Sequence, residues 1–321
     1  MAENYAFAVA RVRALEASLF SDATIDQLLG CREYGAMLQM LAEKGWGDGT
    51  EADAETILAR EREKTWEVLT DLVKDPVVFE LLSYSKLFHN LKAAIKEVVI
   101  GKVQAHIYYD DCPIGGEEMV KIVSEKNFNA LPKPMQEAAA EAHESFLHTG
   151  DGQLCDIIVD RAALCAIYEA GQRSKIDLLM EYAETTVAVA DIKVAVRSQK
   201  TGKSAEFMRR ALAPCKSLNV EMLIHGALSG QEALASYLEE TDYREGAEAL
   251  RTSPSAFERW CDNRIIEAIK PQKYKAFTVG PVVAYVLARE NEIKTVRIIL
   301  SGRQNGLSDD SIREKVREMY V

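Results

Sequence analysis

No run in the 321-residue chain approaches the roughly 20 apolar residues that a membrane-spanning helix requires. The first twenty residues, MAENYAFAVARVRALEASLF, are interrupted by Glu3, Arg11, Arg13 and Glu16, so a secretory apolar core is not expected there. Cysteine is scarce: six thiols stand apart at 31, 112, 155, 165, 215 and 261, with no CxxC pair, which points away from a zinc site or a redox couple. Reduced thiols suit a cytoplasmic protein, and Cys155 and Cys165, beside apolar helical positions, read as small core residues. Positive charge is in deficit as well. Thirty-nine Lys and Arg against fifty Asp and Glu leave a net charge of −11. Phosphate backbones and anionic lipid heads repel such a surface, so no nucleic acid is expected as a partner, and no direct membrane insertion.

Strand signals are also few; no alternating run is bounded by hairpin turns. With 48% apolar and 28% charged residues the chain has enough to fill several small cores and is not disordered. All-α is the expected class.

Catalytic motifs are approached and missed. Thr201-Gly202-Lys203-Ser204 has Arg197 where a P-loop needs its first Gly, and a helix precedes it where a strand should. In Gly226-Ala227-Leu228-Ser229-Gly230 the serine comes one place too late for a nucleophile elbow, so a helix break is expected. His106, Asp110, Asp111, Glu117 and Glu118 gather donors that could hold a hard cation, but Ile114 occupies the third position of a DDxxD spacing. A solvated acidic loop is the plainer reading, with a metal-dependent enzyme as the competing one. His143 and His148 are five apart, one too many to share a zinc on a helix, and His225 reads as a core or boundary histidine. No cofactor and no catalytic residue is expected.

What is present is repetition. Leu91-Lys92 is followed by Gly101-Lys102, Ile192-Lys193 by Gly202-Lys203, and Ile293-Lys294 by Gly302-Arg303, an interval of 101 between the dipeptides both times. Each copy draws an apolar helical stripe: Leu87, Leu91, Ile95, Val98; Leu179, Tyr182, Thr186, Val189, Ile192, Val196; and Val282, Val286, Ile293, Val296, Leu300. Asp75-Pro76 and Gly280-Pro281 mark two starts, Ser174 is positioned to cap the middle helix, and the glycines at 101, 202 and 302 are expected to end the three as left-handed residues. Met119, Ile122 and Val123 stand 101 before Val220, Leu223 and Ile224, a short helix echoed at Thr24-Ile25-Asp26-Gln27 and again at Ser311-Ile312. Further amphipathic helices are expected over 56–73, 157–170 and 257–269.

The chain therefore divides into three pseudo-equivalent helical modules, 1–105, 106–205 and 206–321, the last with a closing C-terminal helix. Three modules are few for an open stack, and Phe20 to Ile25 mirrors Leu307 to Ile312, which favours closure with approximate threefold symmetry around a hollow. Lys92, Lys193 and Lys294 would then be equivalent cations facing one partner, unless each only sits on a polar face near a helix end.

The stretch Phe277 to Val321 carries a resemblance: Gly280-Pro281, Ala284-Tyr285, Arg289 through Lys294, Arg297-Ile298-Ile299, Gly302, Ile312-Arg313-Glu314 and Tyr320-Val321. With Tyr5 through Arg13 and His89-Asn90-Leu91-Lys92, it resembles the C subunits of archaeal and bacterial A/V-type ATPases, which are similar to the eukaryotic d subunits. That family's Asn-x-Lys/Arg signature is intact at Asn90 and Lys92, becomes Asp191 with Lys193, and ends as Glu292 with Lys294. The resemblance implies a funnel without an active site, seated peripherally to the membrane between central-shaft subunits and the cytoplasmic loops of the rotor ring, and transmitting torque for ATP-coupled proton or sodium transport. The alternative is a cytosolic helical adaptor unrelated to a rotary motor.

Overall fold

A computed structural model describes residues 5–49, 53–102 and 107–321. Its described residues form sixteen α-helices and no strand. In chain order these are α1 (Ala6–Glu16), α2 (Asp22–Gly30), α3 (Tyr34–Glu43), α4 (Ala54–Leu72), α5 (Pro76–Ile100), α6 (Gly116–Ser124), α7 (Lys133–Thr149) and α8 (Gly152–Ser174). There follow α9 (Asp177–Thr201), α10 (Ala205–Ala211), α11 (Val220–Ser229), α12 (Gln231–Glu239), α13 (Arg244–Thr252), α14 (Pro254–Ile269), α15 (Gly280–Gln304) and α16 (Asp309–Arg313). The all-α expectation holds.

The three repeated segments become α5, α9 and α15, each 25 residues long. Their ends follow local chemistry. Asp75 caps α5, its Oδ1 accepting the Val77 N–H at 3.0 Å, and Pro76 fills the first turn where no partner for an N–H exists. Gly101 and Gly202 end α5 and α9 with φ of 72° and 63°, as the sequence predicts.

Two expectations need correction. Ser174 does not open α9; it closes α8, its hydroxyl donating to the Gly171 carbonyl at 2.6 Å and accepting the Ile176 N–H at 3.1 Å. Gly302 does not end α15 either. The helix runs on to Gln304, and Gly306, with φ 69°, is the left-handed residue. The Leu307 N–H then reaches the Gly302 carbonyl at 2.9 Å, as in a Schellman closure. Gly302 is glycine for lack of room: a Cβ there would lie 2.7 Å from Cγ1 of Ile312, which α16 buries against it.

The chain packs as two compact units. One joins residues 1–74 to 248–321, and the other is continuous over 75–247. In the discontinuous unit one apolar core takes residues from both chain ends. Phe20, Ile25, Leu28, Met37, Leu41, Trp46 and Leu58 pack with Ile293, Val296, Ile299, Leu300, Ile312 and Met319. Phe20 and Trp46 stack at 5.1 Å within it. In the continuous unit α8 packs against α5, α7 and α9. Gly171 lets α8 and α9 cross closely, since a Cβ there would lie 2.3 Å from the Ala183 Cβ.

Gly302→Val should therefore force α16 off α15. We expect a loss of about 1–3 kcal/mol, the range for overpacking a filled site, read as a lower urea midpoint. An unchanged midpoint would show that α16 yields freely.

Candidate functional site

The repeat places a buried polar residue at the same position of each long helix, at 90, 191 and 292. Asn90, Asp191 and Glu292 are 0%, 0% and 2% exposed. Each holds backbone of its own chain. Asn90 donates from Nδ2 to the carbonyls of Tyr109 (2.8 Å) and Ile114 (3.1 Å), and its Oδ1 accepts the Tyr109 N–H at 2.9 Å. Oδ1 of Asp191 accepts the Ala213 N–H at 3.0 Å. Oε2 of Glu292 accepts the Phe20 N–H at 3.0 Å.

In every case the captured segment leads into a short helix that buries apolar residues: Met119, Ile122 and Val123 on α6, Leu223 and Ile224 on α11, and Ile25, Leu28 and Leu29 on α2. The third staple thus reaches back to the start of the chain. The sequence shows the likeness of residues 20–25 to 307–312, but nothing in it says that Glu292 binds the first of these.

The three staples differ in charge. Asn90 is neutral and satisfied. Among the described residues Asp191 has no hydrogen-bond partner for its buried Oδ2. Burial pushes its carboxyl up to about 7, against the downward pull of the Ala213 N–H and of Arg161. Burial also pushes Glu292 up to about 7, opposed by Arg289 and the Phe20 N–H.

Arg289 is the charged residue that sequence reasoning passed over. Its Nη1 donates to Glu292 Oε1 at 2.6 Å, and its Nη2 pairs with Oε2 of Glu61. The other oxygen of Glu61 accepts the Gly47 N–H at 3.0 Å and pairs with Lys64 at 2.7 Å. The guanidinium lies 5.2 Å from the Trp46 ring centroid. A signal existed: Arg289 and Glu61 both fall on apolar stripes, between Val286 and Ile293 and between Leu58 and Thr65.

The lysines of the pattern lie nearer the surface. Lys92 pairs with Asp160 of α8 at 2.7 Å. Lys294 pairs with Asp262 of α14 at 2.7 Å, a carboxylate that Arg317 also holds. Lys193 is half-buried and, with Lys92, lines a groove of about 630 Å³ between α5, α8 and α9. Arg197 and Lys203 add charge to that groove, while Phe88, Leu164, Val194 and Phe207 give it an apolar lining.

The supposed metal donors are used otherwise. Asp111 is buried and pairs with Lys86 at 2.6 Å, and Glu117 and Glu118 stand in the first turn of α6. His106 lies outside the described residues. Among the described residues no three His, Cys, Asp or Glu side chains are placed to hold a metal ion together. His143 is buried beside Phe128, and burial lowers its pKa by disfavouring the charged ring. His225 is exposed on α11, not a core residue, because α11 turns Leu223, Ile224 and Ala227 inward. Cys155 is buried as expected, and Cys165 is only half-buried.

These features define an all-helical protein of repeated long helices, each stapled from inside to the segment that precedes a short helix. The chain belongs to the ATP synthase (C/AC39) subunit family, whose model matches residues 8–315. It is similar to the C subunit of the V-type sodium ATPase of Enterococcus hirae, 23% identical over 96% of this chain and 97% of that one. It is also similar to the C subunit of the A-type ATP synthase of Methanocaldococcus jannaschii, 24% identical over 96% of this chain and 85% of that one. The corresponding protein of Methanosarcina mazei is 23% identical over 98% of this chain and 92% of its own length. The family is one of non-catalytic subunits, and no helix among the described residues is long and apolar enough to cross a membrane.

The raised carboxyl of Asp191 has a consequence for stability. Its folded pKa of about 7 exceeds the ordinary 3.8, so between those values the folded state binds the extra proton. The stability it contributes is present at low pH and is lost as pH rises through about 7. Asp191→Asn keeps an acceptor for Ala213 and abolishes the titration. Urea unfolding at pH 5 and pH 8 should show a smaller loss in the variant than in the wild type; equal losses would mean that Asp191 stays ionised in the fold.

Proposed function

We propose that the chain is the central-stalk subunit of a rotary A/V-type ATPase, a non-catalytic socket between the rotor shaft and the membrane ring. Its task is to pass torque between the two and so link ATP turnover to proton or sodium movement. The observation that carries this reading is the threefold staple. Three helices of equal length each fix the segment before a short helix from within, and the third does so with the chain's own beginning. Torque transmission asks for stiffness, and buried hydrogen bonds and close packing supply it.

On this reading the chain is three modules, 1–105, 106–205 and 206–321, closed into a funnel of approximate threefold symmetry whose hollow receives the shaft. The protein lies peripheral to the membrane, in the cytoplasm, and meets the ring through its cytoplasmic loops. Asn90, Asp191 and Glu292 shape the funnel from inside, and Lys92, Lys193 and Lys294 carry the charge offered to the shaft. The groove beside Lys92 and Lys193 fits that role, since an apolar lining with four cations against the two carboxylates of Asp156 and Asp160 suits an acidic amphipathic helix.

The triple variant Lys92→Glu, Lys193→Glu, Lys294→Glu tests the assignment. Affinity for purified shaft subunits should fall about tenfold or more, a change of about 1.4 kcal/mol, with far-UV circular dichroism unchanged. Full affinity in the triple variant would reject the lysines as shaft contacts, and a wild-type chain that binds no shaft subunit would reject the reading itself.

A further inference from the structure

The segment Lys270 to Gly280, KPQKYKAFTVG, is the reverse of the surface around it. It holds three lysines and no carboxylate in a chain of net charge −11. It also displays two large aromatics, Tyr274 at 88% and Phe277 at 73% exposure. Apolar side chains this exposed in a loose loop would be unremarkable. This turn is not loose. Arg13 of α1 donates from Nη2 to the Gln272 carbonyl at 2.7 Å and to the Lys275 carbonyl at 2.9 Å. Nη1 of the same guanidinium is braced by Glu16 at 2.7 Å. Lys270 pairs with Glu318 at 2.8 Å, and the Lys273 ammonium stands 4.8 Å from the centroid of the Tyr320 ring. The Gln272 side chain fills the space above Gly280, where a Cβ would lie 2.1 Å from its Oε1. These contacts hold the turn, and the two rings take part in none of them.

We infer that this latched turn is a docking surface for a carboxylate-bearing face of a partner protein in the assembly, with Tyr274 and Phe277 as its apolar contacts and Lys273 and Lys275 as its charges. The inference rests on the stalk reading for the identity of the assembly. Three considerations select a protein over a lipid surface. Lys270 is already paired, leaving two lysines, and each adds only about 1 kcal/mol toward an anionic bilayer. The rest of the chain, at −11, is repelled by such a bilayer. Aromatic side chains have few torsions to fix, those on an already latched backbone lose less entropy on docking, and such residues are the usual hot spots of protein interfaces.

Sedimentation decides between the occupants. The full chain and the variant Tyr274→Ser, Phe277→Ser are each mixed with membranes carrying the rotor ring, with soluble shaft subunits, and with protein-free vesicles of phosphatidylglycerol and phosphatidylcholine. Both side chains lie outside the core, so the variant should unfold at the wild-type temperature, and circular dichroism checks this. The wild type is expected to bind the ring membranes or the shaft. The double variant should bind that same partner at least about tenfold more weakly, and Lys275→Glu should weaken the contact and flatten its salt dependence. Equal binding of variant and wild type to both protein partners overturns the inference. Binding to protein-free vesicles that the double variant alone loses, with protein binding intact, assigns the turn to lipid and also overturns it. A wild-type chain that binds neither protein partner defeats the stalk reading, and the inference falls with it.

Discussion

Arg289 sits between two carboxylates in the core of the discontinuous unit, and that unit's architecture depends on it. Glu61 comes from the fourth helix, 228 positions before Arg289, and Glu292 from the fifteenth, so one guanidinium ties the two helices together. Burying a guanidinium with two carboxyl groups is expensive, and an apolar trio of similar volume could match them in stability. What an ionic trio adds is direction. The oxygens of Glu61 and Glu292 not held by Arg289 accept the N–H groups of Gly47 and Phe20, which fixes the backbone on either side of the Phe20–Trp46 stack. Apolar side chains of the same shape would fill the space and leave both N–H groups without acceptors.

The same position in the other two long helices reaches the same end by other means. Asn90 is uncharged and makes three backbone bonds, so its environment needs no counter-ion. Asp191 has one backbone bond and, among the described residues, no ion pair to match that of Glu292, and burial raises its pKa. A neutral amide, a carboxyl raised by burial, and an equally raised carboxyl braced by Arg289 are three solutions to one constraint: a polar side chain in a dry interior must be satisfied or discharged.

Much of this was legible in the sequence, for reasons that differ by feature. The 101-residue interval and the apolar stripes gave the three long helices, because a helix of 25 residues repeats its buried face many times. Gly101 and Gly202 were legible as caps because glycine takes, without steric cost, the left-handed angle that closes a periodic run. Gly302 looked the same and was not, since a glycine needed for lack of space cannot be told from one needed for its backbone angle until the neighbour, Ile312, is seen. Ser174 erred in a similar way: a hydroxyl between two helices can serve either, and only its bond to Gly171 decides. Positions 90, 191 and 292 were found as members of a pattern, yet periodicity does not say that they point inward. Glu61 and Arg289 stood on their stripes as visible anomalies, and pairing them across the chain required coordinates.

The central claim is that each long helix staples the segment before a short helix, and that the third staple closes on the start of the chain. Site-resolved hydrogen exchange of the Tyr109, Ala213 and Phe20 amides tests it most directly. The account predicts slow exchange at all three, with Phe20 protected as strongly as the other two. Phe20 exchanging at the rate of an open loop while Tyr109 and Ala213 stay protected would contradict it.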